Sequence, residues 1–395
     1  MEPEKPEDFL IESAANPIET VSNTEAAETV PAAESHRGLR WVFLGPEGLR
    51  AGWSVLLFLP LFLLVLAIAE AVMLHLHLIS GNAEEFTPVS ALFLEVGSVT
   101  ALVAAAALVG LIEGRRILAY HLNGPRRLQH FVFGLAAGFL ALSALVGALV
   151  AGGWLRLSAN SLSGAAFLRF GLLWGGTFLL TGCFEEGLFR GYLQFTLTRG
   201  INFWWACIPI ATACAALAVF VRGNASMGVY AAALLGFFPC LYLFQKSAPH
   251  SGFWFAAWLT STLFGLVHLS NAGESGVGIF AAALIGFVFC VSLRVTGSLW
   301  WAIGGHAAWD WAETFFYGTA NSGLVPQGSY LTSHAAGNPF WSGGAVGPEG
   351  SVLVVGAIVL LLALLLVYDH WKVSGSWRAA GPPDSNRRRM LNQNT

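Results

Sequence analysis

The chain has 395 residues, of which 55% are hydrophobic and only 11% charged, with a formal net charge of −3. A soluble domain carries about a quarter charged residues, so there is too little polar surface here for a water-soluble globule, and the charge balance excludes a nucleic-acid binder. The five cysteines (Cys183, Cys207, Cys214, Cys240 and Cys290) sit in apolar stretches without a CxxC pair, which excludes a disulfide framework and a zinc knuckle.

Residues 1–36 hold nine of the 23 acidic residues and a single Lys, with no apolar stripe. Such a segment cannot bury enough surface to offset its ordering entropy, and it is expected to be a disordered, acidic cytoplasmic tail. It lacks the basic start and short apolar core of a signal peptide. From Trp53 onward, apolar runs near the bilayer-spanning length follow one another. They predict spans at about 52–77, 89–112, 129–151, 168–197, 203–221, 226–245, 252–270, 276–293, 298–317 and 351–370. The expected fold is therefore all-α, a polytopic transmembrane bundle of about ten spans with an intramembrane polar cavity. Small-residue spacings such as Gly134-x-x-x-Gly138 and Gly187-x-x-x-Gly191 would let helices approach closely.

Loop charge gives an orientation. Arg37, Arg40 and Arg50 precede the first span, Arg115, Arg116, Arg126 and Arg127 follow the second, and Arg199, Lys246 and Arg294 mark later loops of the same side. Lys372, Arg378 and Arg387 to Arg389 make 371–395 a basic tail, whereas the alternate loops carry Glu84, Glu85, Glu274 and Glu349 with few cations, Arg156 and Arg222 being the exceptions. The positive-inside rule then puts both termini in the cytoplasm, with a bacterial inner membrane as the expected location. The connection 318–350, rich in Gly, Ser and Asn, is expected outside, as a solvated loop rather than a lid.

Ionisable groups within a span are costly and usually face a cavity or one another. Here they cluster in three places. In Glu185-Glu186-Gly187-Leu188-Phe189-Arg190 the two adjacent carboxylates point about 100° apart on a helix. Glu186 and Arg190, four residues apart, can pair on one face, which leaves Glu185 for the bundle interior, where a carboxylate can act as a general base toward water. In Phe264-Gly265-Leu266-Val267-His268 the aromatic ring and the imidazole are one turn apart on a shared face. In His306-Ala307-Ala308-Trp309-Asp310-Trp311-Ala312-Glu313 positions 306, 310 and 313 form an i, i+4, i+7 stripe, so His306, Asp310 and Glu313 are expected to line one wall of a polar cavity together with Phe264. At 1.5 Å per residue, Glu185, His268 and His306 lie roughly 21, 22 and 10 Å from the cytoplasmic ends of their helices, compatible with one shared cavity. Glu70 and Glu95 have no matching motif and are expected to be packing or cavity-rim groups.

The ordered set EExxxR, FxxxH, HxxxD resembles the pattern of the CAAX protease and bacteriocin-processing (CPBP) family of intramembrane peptidases, related to type II CAAX prenyl endopeptidases. The resemblance covers about 165–317 and is carried by Glu185, Glu186, Arg190, Phe264, His268, His306 and Asp310. It implies hydrolysis of a peptide bond in a membrane-embedded or lipidated substrate. Glu185 and His268 would activate the water, Glu186 and Arg190 would orient and tune Glu185, and His306 and Asp310 would stabilise the oxyanion. Family members often carry Asn where Asp310 stands; an ionised Asp cannot donate to an oxyanion and would instead hold His306 in its donor tautomer. No metal is required by this reading. Zinc remains open as a cofactor, with Glu185, His268 and His306 as its ligands. The 73 residues between Arg190 and Phe264 exceed the usual single connecting helix, and 203–245 reads as a two-helix insertion. Residues 37–164 are then N-terminal spans, 165–317 the catalytic core and 351–370 the last span. Two other classes share these features: a proton-coupled transporter, whose expected repeat symmetry is not visible, and a catalytically silent scaffold or immunity-type protein.

Overall fold

Each predicted apolar run becomes a helix because a backbone surrounded by hydrocarbon must satisfy its N–H and C=O groups internally. The computed structural model describes residues 42–45, 48–79, 87–160, 162–220, 224–271 and 273–379; the acidic segment 1–36 and residues 380–395 of the basic tail lie outside them. A two-residue hairpin, β1 (Leu44–Gly45) and β2 (Gly48–Leu49), leads into α1 (Ala51–His75). There follow α2 (Pro88–Glu113), α3 (Arg127–Ala151), α4 (Gly164–Thr198), α5 (Phe203–Phe220), α6 (Asn224–Gln245), α7 (Ser251–Val267), α8 (Gly276–Thr296), α9 (Trp300–Trp311) and α10 (Leu353–Ala379).

Among the described residues, eight of these helices are long and apolar enough to cross a membrane. The other two predicted spans are the shorter apolar helix α5 and α9, which a π-helical segment, Ala312–Phe316, extends. Large apolar side chains stand exposed along the outer helices, among them Leu56, Leu63, Leu111 and Leu172, a surface suited to lipid rather than water. The chain is a polytopic transmembrane helical bundle, with the two helices α5 and α6 where the insertion is expected. Helix ends obey local chemistry. At α2, the Thr87 hydroxyl accepts the Ser90 N–H at 3.2 Å, Pro88 occupies the first turn and Gly114 closes the helix at φ +68°.

In a bilayer, lipid tails are as apolar as Leu, so helices associate through close packing rather than hydrophobic transfer. The site depends on one such crossing. A Cβ placed at Gly138 on α3 would lie 2.1 Å from the Gly305 carbonyl oxygen on α9, and one at Gly134 would lie 2.2 Å from that of Trp301. The two backbones therefore touch next to His306. On the other side, a Cβ at Gly265 of α7 would lie 2.6 Å from the Ile279 oxygen of α8.

The connection 318–350 departs from the solvated loop expected of it. Its strand β4 (Leu331–Ala335) pairs antiparallel with β3 (Leu155–Ala159), Leu155 opposite Ala335 and Ala159 opposite Leu331. The Tyr330 N–H donates to the Phe315 carbonyl at 2.7 Å, and the Trp174 indole N–H donates to that of Gln327 at 3.0 Å. Its glycines serve a folded path: Gly318 sits at φ +61°, where a Cβ would lie 2.0 Å from the Leu331 oxygen. Composition therefore marked special backbone geometry, and the partners holding it lie far away in sequence.

Candidate functional site

Helix α4 brings a polar stripe into the bundle. Thr177, Thr181 and Glu185 follow at four-residue intervals, and after Glu186 the helix widens into a π-helical segment, Gly187–Leu193, a distortion frequent at functional sites. Glu186 and Arg190 are both fully buried and pair at 3.2 Å, Nη1 to Oε1. The Arg190 guanidinium also lies over the Phe264 ring, 4.3 Å from its centroid, and within 5.7 Å of the Phe189 and Phe289 centroids. A cation among aromatic faces is held by their quadrupoles. Room for it comes from Gly286, where a Cβ would lie 2.4 Å from Nη2.

His306 is the junction of the site. Its Nδ1 lies 2.9 Å from Glu186 Oε1, and its Nε2 lies 3.6 Å from Glu185 Oε2 and 3.5 Å from Asp310 Oδ2. Paired with Arg190, Glu186 is a carboxylate that only accepts, so the proton on Nδ1 points to Glu186 and Nε2 faces the other two acids. The orienting partner of His306 is thus Glu186; Asp310, expected in that role, makes the longer contact to the opposite nitrogen. The ring stacks on Phe289, with centroids 5.7 Å apart and planes inclined by 13°.

His268 caps α7, with Nδ1 2.7 Å from the Phe264 carbonyl oxygen. A carbonyl only accepts, so Nδ1 carries a proton, and in the neutral ring the lone pair is on Nε2. The Phe264–His268 spacing therefore has two uses: the Phe264 backbone sets the tautomer, and its ring, 3% exposed, separates His268 from Arg190 by contacting both.

These groups meet in a cavity of about 250 Å³ whose wall includes Glu95, Glu185, His268, Glu274, His306 and Asp310. Phe264 lines it as expected. Glu185 keeps 27% of its side chain accessible while Glu186 keeps none, the division foreseen for adjacent carboxylates. Asn321, Ser322 and Glu349 of the 318–350 connection cover one side. Glu313 departs from expectation: it lies in the first turn of the π-helical segment after α9, is fully buried and does not line the cavity. The i, i+7 stripe assumes 3.6 residues per turn, and the wider π turn takes Glu313 off it. Its carboxylate groups instead with those of Asp310 and Glu349, whose ligand atoms all lie within 4.8 Å of one another. Among the described residues that is the convergent set of ligand atoms, and it contains neither histidine named above as a zinc ligand.

Sequence reasoning missed two acidic wall residues, Glu274 and Glu349, and left Glu95 open between packing and the cavity rim. Glu95 on α2 lines the cavity, whereas Glu70 is exposed on α1; the Thr177–Thr181–Glu185 stripe is the signal for a polar face opposite α2. Glu274 stands six residues beyond His268, accepts the Ser275 N–H at 2.7 Å and has its carboxyl pushed up by burial. Glu349 carries no local signal, because it is brought in by the folded connection.

Residues 238–312 match the family model of the type II CAAX prenyl endopeptidase Rce1-like proteins. The match runs from α6 to the end of α9 and contains the second and third motifs. The Glu185–Arg190 motif precedes it, and the fold places Glu185 of that motif in the same cavity. No curated protein and no solved structure matches the chain.

Proposed function

We propose that this chain, whose residues 238–312 are of the Rce1-like, CAAX prenyl endopeptidase type, is an intramembrane endopeptidase that hydrolyses a peptide bond of a lipidated or membrane-embedded substrate. The family supports a CAAX-type intramembrane endopeptidase in general; the roles below are our reading of the geometry. The observation that carries it is the convergence of Glu185, His268 and His306, from three helices, on one covered cavity.

Water enters between Glu185 and His268. One O–H bond breaks as Glu185 takes the proton, and the hydroxide oxygen bonds to the substrate carbonyl carbon, whose π electrons move to oxygen. The remaining O–H of the water donates a hydrogen bond to Nε2 of His268, which orients the attacking oxygen. When His306 carries both ring protons, its Nε2–H faces the cavity and stabilises the oxyanion, while Glu186 holds its other nitrogen. Collapse reforms the carbonyl, breaks the C–N bond and returns the Glu185 proton to the leaving amine. Arg190 acts through Glu186 and never meets the substrate. No metal is needed for these steps. We further place the protein in a bacterial inner membrane with both termini cytoplasmic, on the charge of its loops.

The test is a cleavage assay on the full chain in proteoliposomes, supplied with farnesylated C-terminal peptides and with unmodified transmembrane peptides, and read by mass spectrometry. Loss of a general base costs ~10²–10⁴-fold in rate, so Glu185→Gln and His268→Ala should each fall at least ~100-fold. Equal cleavage by wild type and both variants would refute the assignment. No cleavage of any peptide by the folded wild type would favour the silent scaffold.

A further inference from the structure

Beside the cavity, at and just beyond the end of α9, three carboxylates converge, and among the described residues only Asp310 faces a group that can carry positive charge, His306 Nε2 at 3.5 Å. Asp310, Glu313 and Glu349 each present an oxygen within 4.8 Å of the others. Acids gather on many surfaces without consequence, but this group is not on a surface. Glu313 is fully buried, neither of its carboxylate oxygens meets a partner in hydrogen-bonding geometry among the described residues, and its polar neighbours are the Trp309 indole and the Glu349 carboxyl group. An unpaired buried carboxylate is among the most costly arrangements in a protein, and beside two further acids it calls for a positive charge. Arg190 is committed to Glu186 and its three aromatic rings.

The remaining contacts look like support for a bound ion. The Trp309 indole N–H donates to Glu349 Oε1 at 2.9 Å, and the Ser322 hydroxyl lies 3.4 Å from Glu349 Oε2. Gly347, at φ +110°, lets the covering segment approach Glu313: a Cβ there would lie 3.2 Å from Glu313 Oε1. Asp310 and Glu349 also border the cavity, which gives an ion an entry path and room for water ligands. All three ligands are oxygens, the preference of a hard divalent cation. Calcium binds oxygen at about 2.3–2.6 Å, so ligands on opposite sides of it stand about 4.6–5.2 Å apart. The observed spread fits that size.

We propose that Asp310, Glu313 and Glu349 form a binding site for a hard divalent cation of calcium's size, which ties the 318–350 connection to α9 and fixes Asp310 at the cavity wall. The consequence for catalysis rests on the peptidase reading; the binding itself does not. One ligand comes from the end of α9, one from the π-helical segment that extends it and one from the covering segment, so the ion closes that segment over the site.

The test uses the full chain purified in detergent, stripped with EGTA and titrated with Tb³⁺, whose emission Trp309 would sensitise, followed by displacement with Ca²⁺. Wild type should bind one Tb³⁺ per chain, with Ca²⁺ displacing it, and should melt at a higher temperature in Ca²⁺ than in EGTA. Glu313→Gln and Glu349→Gln should each weaken binding at least ~10-fold, a loss typical even of outer-shell partners, and should abolish the thermal shift. Glu185→Gln should bind as wild type does, which separates failure of this site from failure of the peptidase reading. If Glu313→Gln does not fold, Glu349→Gln and the wild-type melting pair decide the matter. No stoichiometric binding, unchanged affinity in Glu349→Gln, or a wild type that melts alike in Ca²⁺ and EGTA would overturn the proposal and leave the three carboxylates to share protons.

Discussion

Replacing Arg190 by Met probes the element on which the rest of the site is hung. The guanidinium is fully buried, pairs with an equally buried Glu186 at 3.2 Å and lies 4.3 Å from the Phe264 centroid. Removing one partner of a buried pair costs about 3–5 kcal/mol, because the remaining charge is stranded. A desolvated cation–π contact contributes about 2 kcal/mol more. Glu186 retains its 2.9 Å contact to His306, so the lower end applies, and Arg190→Met should lose at least about 3 kcal/mol. Adding Glu186→Gln removes the stranded charge, so the double variant should recover about 2 kcal/mol relative to additivity, within the range of coupled neighbours. Reversible unfolding in mixed detergent–SDS micelles reads both quantities. A single variant within 1 kcal/mol of wild type, or strict additivity in the cycle, would refute the claim that this pair is the buried anchor of the site. Because Glu186 orients His306, Arg190→Met should also lower kcat more than it raises KM.

Other parts of the account make equally specific demands. Gly138→Ala places a Cβ 2.1 Å from the Gly305 carbonyl oxygen; overpacking costs about 1–3 kcal/mol, and the displaced Gly305 should carry His306 with it, so melting temperature and cleavage rate should fall together. Gly147→Ala, with nothing within 4 Å of the added Cβ, should leave both unchanged. His121, in the connection between α2 and α3, has its ring pushed down by burial to about 4. The folded state favours its neutral form, so its contribution is complete above the unfolded value near 6.5 and is lost as pH falls from there through 4, at most about 3 kcal/mol. Melting curves between pH 7.5 and 4 should therefore be shallower in His121→Asn, which tolerates the same φ of +60°; parallel curves would contradict this. Gly318→Ala should loosen the covering segment, since its Cβ would lie 2.0 Å from the Leu331 oxygen at φ +61°, and limited proteolysis within 318–350 should be faster than in wild type.

What could be read from the chain alone was set by local periodicity. Apolar runs of bilayer length had one available structure, and each became a helix where expected. The Gly134–Gly138 spacing became a close crossing, and the four-residue spacing of Glu186 and Arg190 became an ion pair. Adjacency on a helix separated Glu185 from Glu186 into an accessible and a buried carboxylate. What stayed hidden depends on partners distant in sequence or on departures from ideal helix geometry. The connection 318–350 looked irregular because the groups that order it, at Leu155–Ala159, Trp174 and Phe315, lie elsewhere. Glu349 reaches the site only through that folding. Glu313 left its stripe because the helix widens after Trp311, and Glu186 rather than Asp310 orients His306 because α4 and α9 cross closely enough for a side chain to bridge them. A Cβ at Gly182 on α4 would lie 2.9 Å from the Ile303 carbonyl oxygen on α9.

The central claim is that water activated by Glu185 in this cavity cleaves a peptide bond. Its most direct test is cleavage of a lipidated or transmembrane peptide by proteoliposomes in ¹⁸O-labelled water, with wild type and Glu185→Gln compared under identical reconstitution. The account predicts products from wild type whose new C-terminal carboxylate carries one ¹⁸O atom, and at least ~100-fold less product from Glu185→Gln. Labelled product formed at the wild-type rate by Glu185→Gln would contradict it.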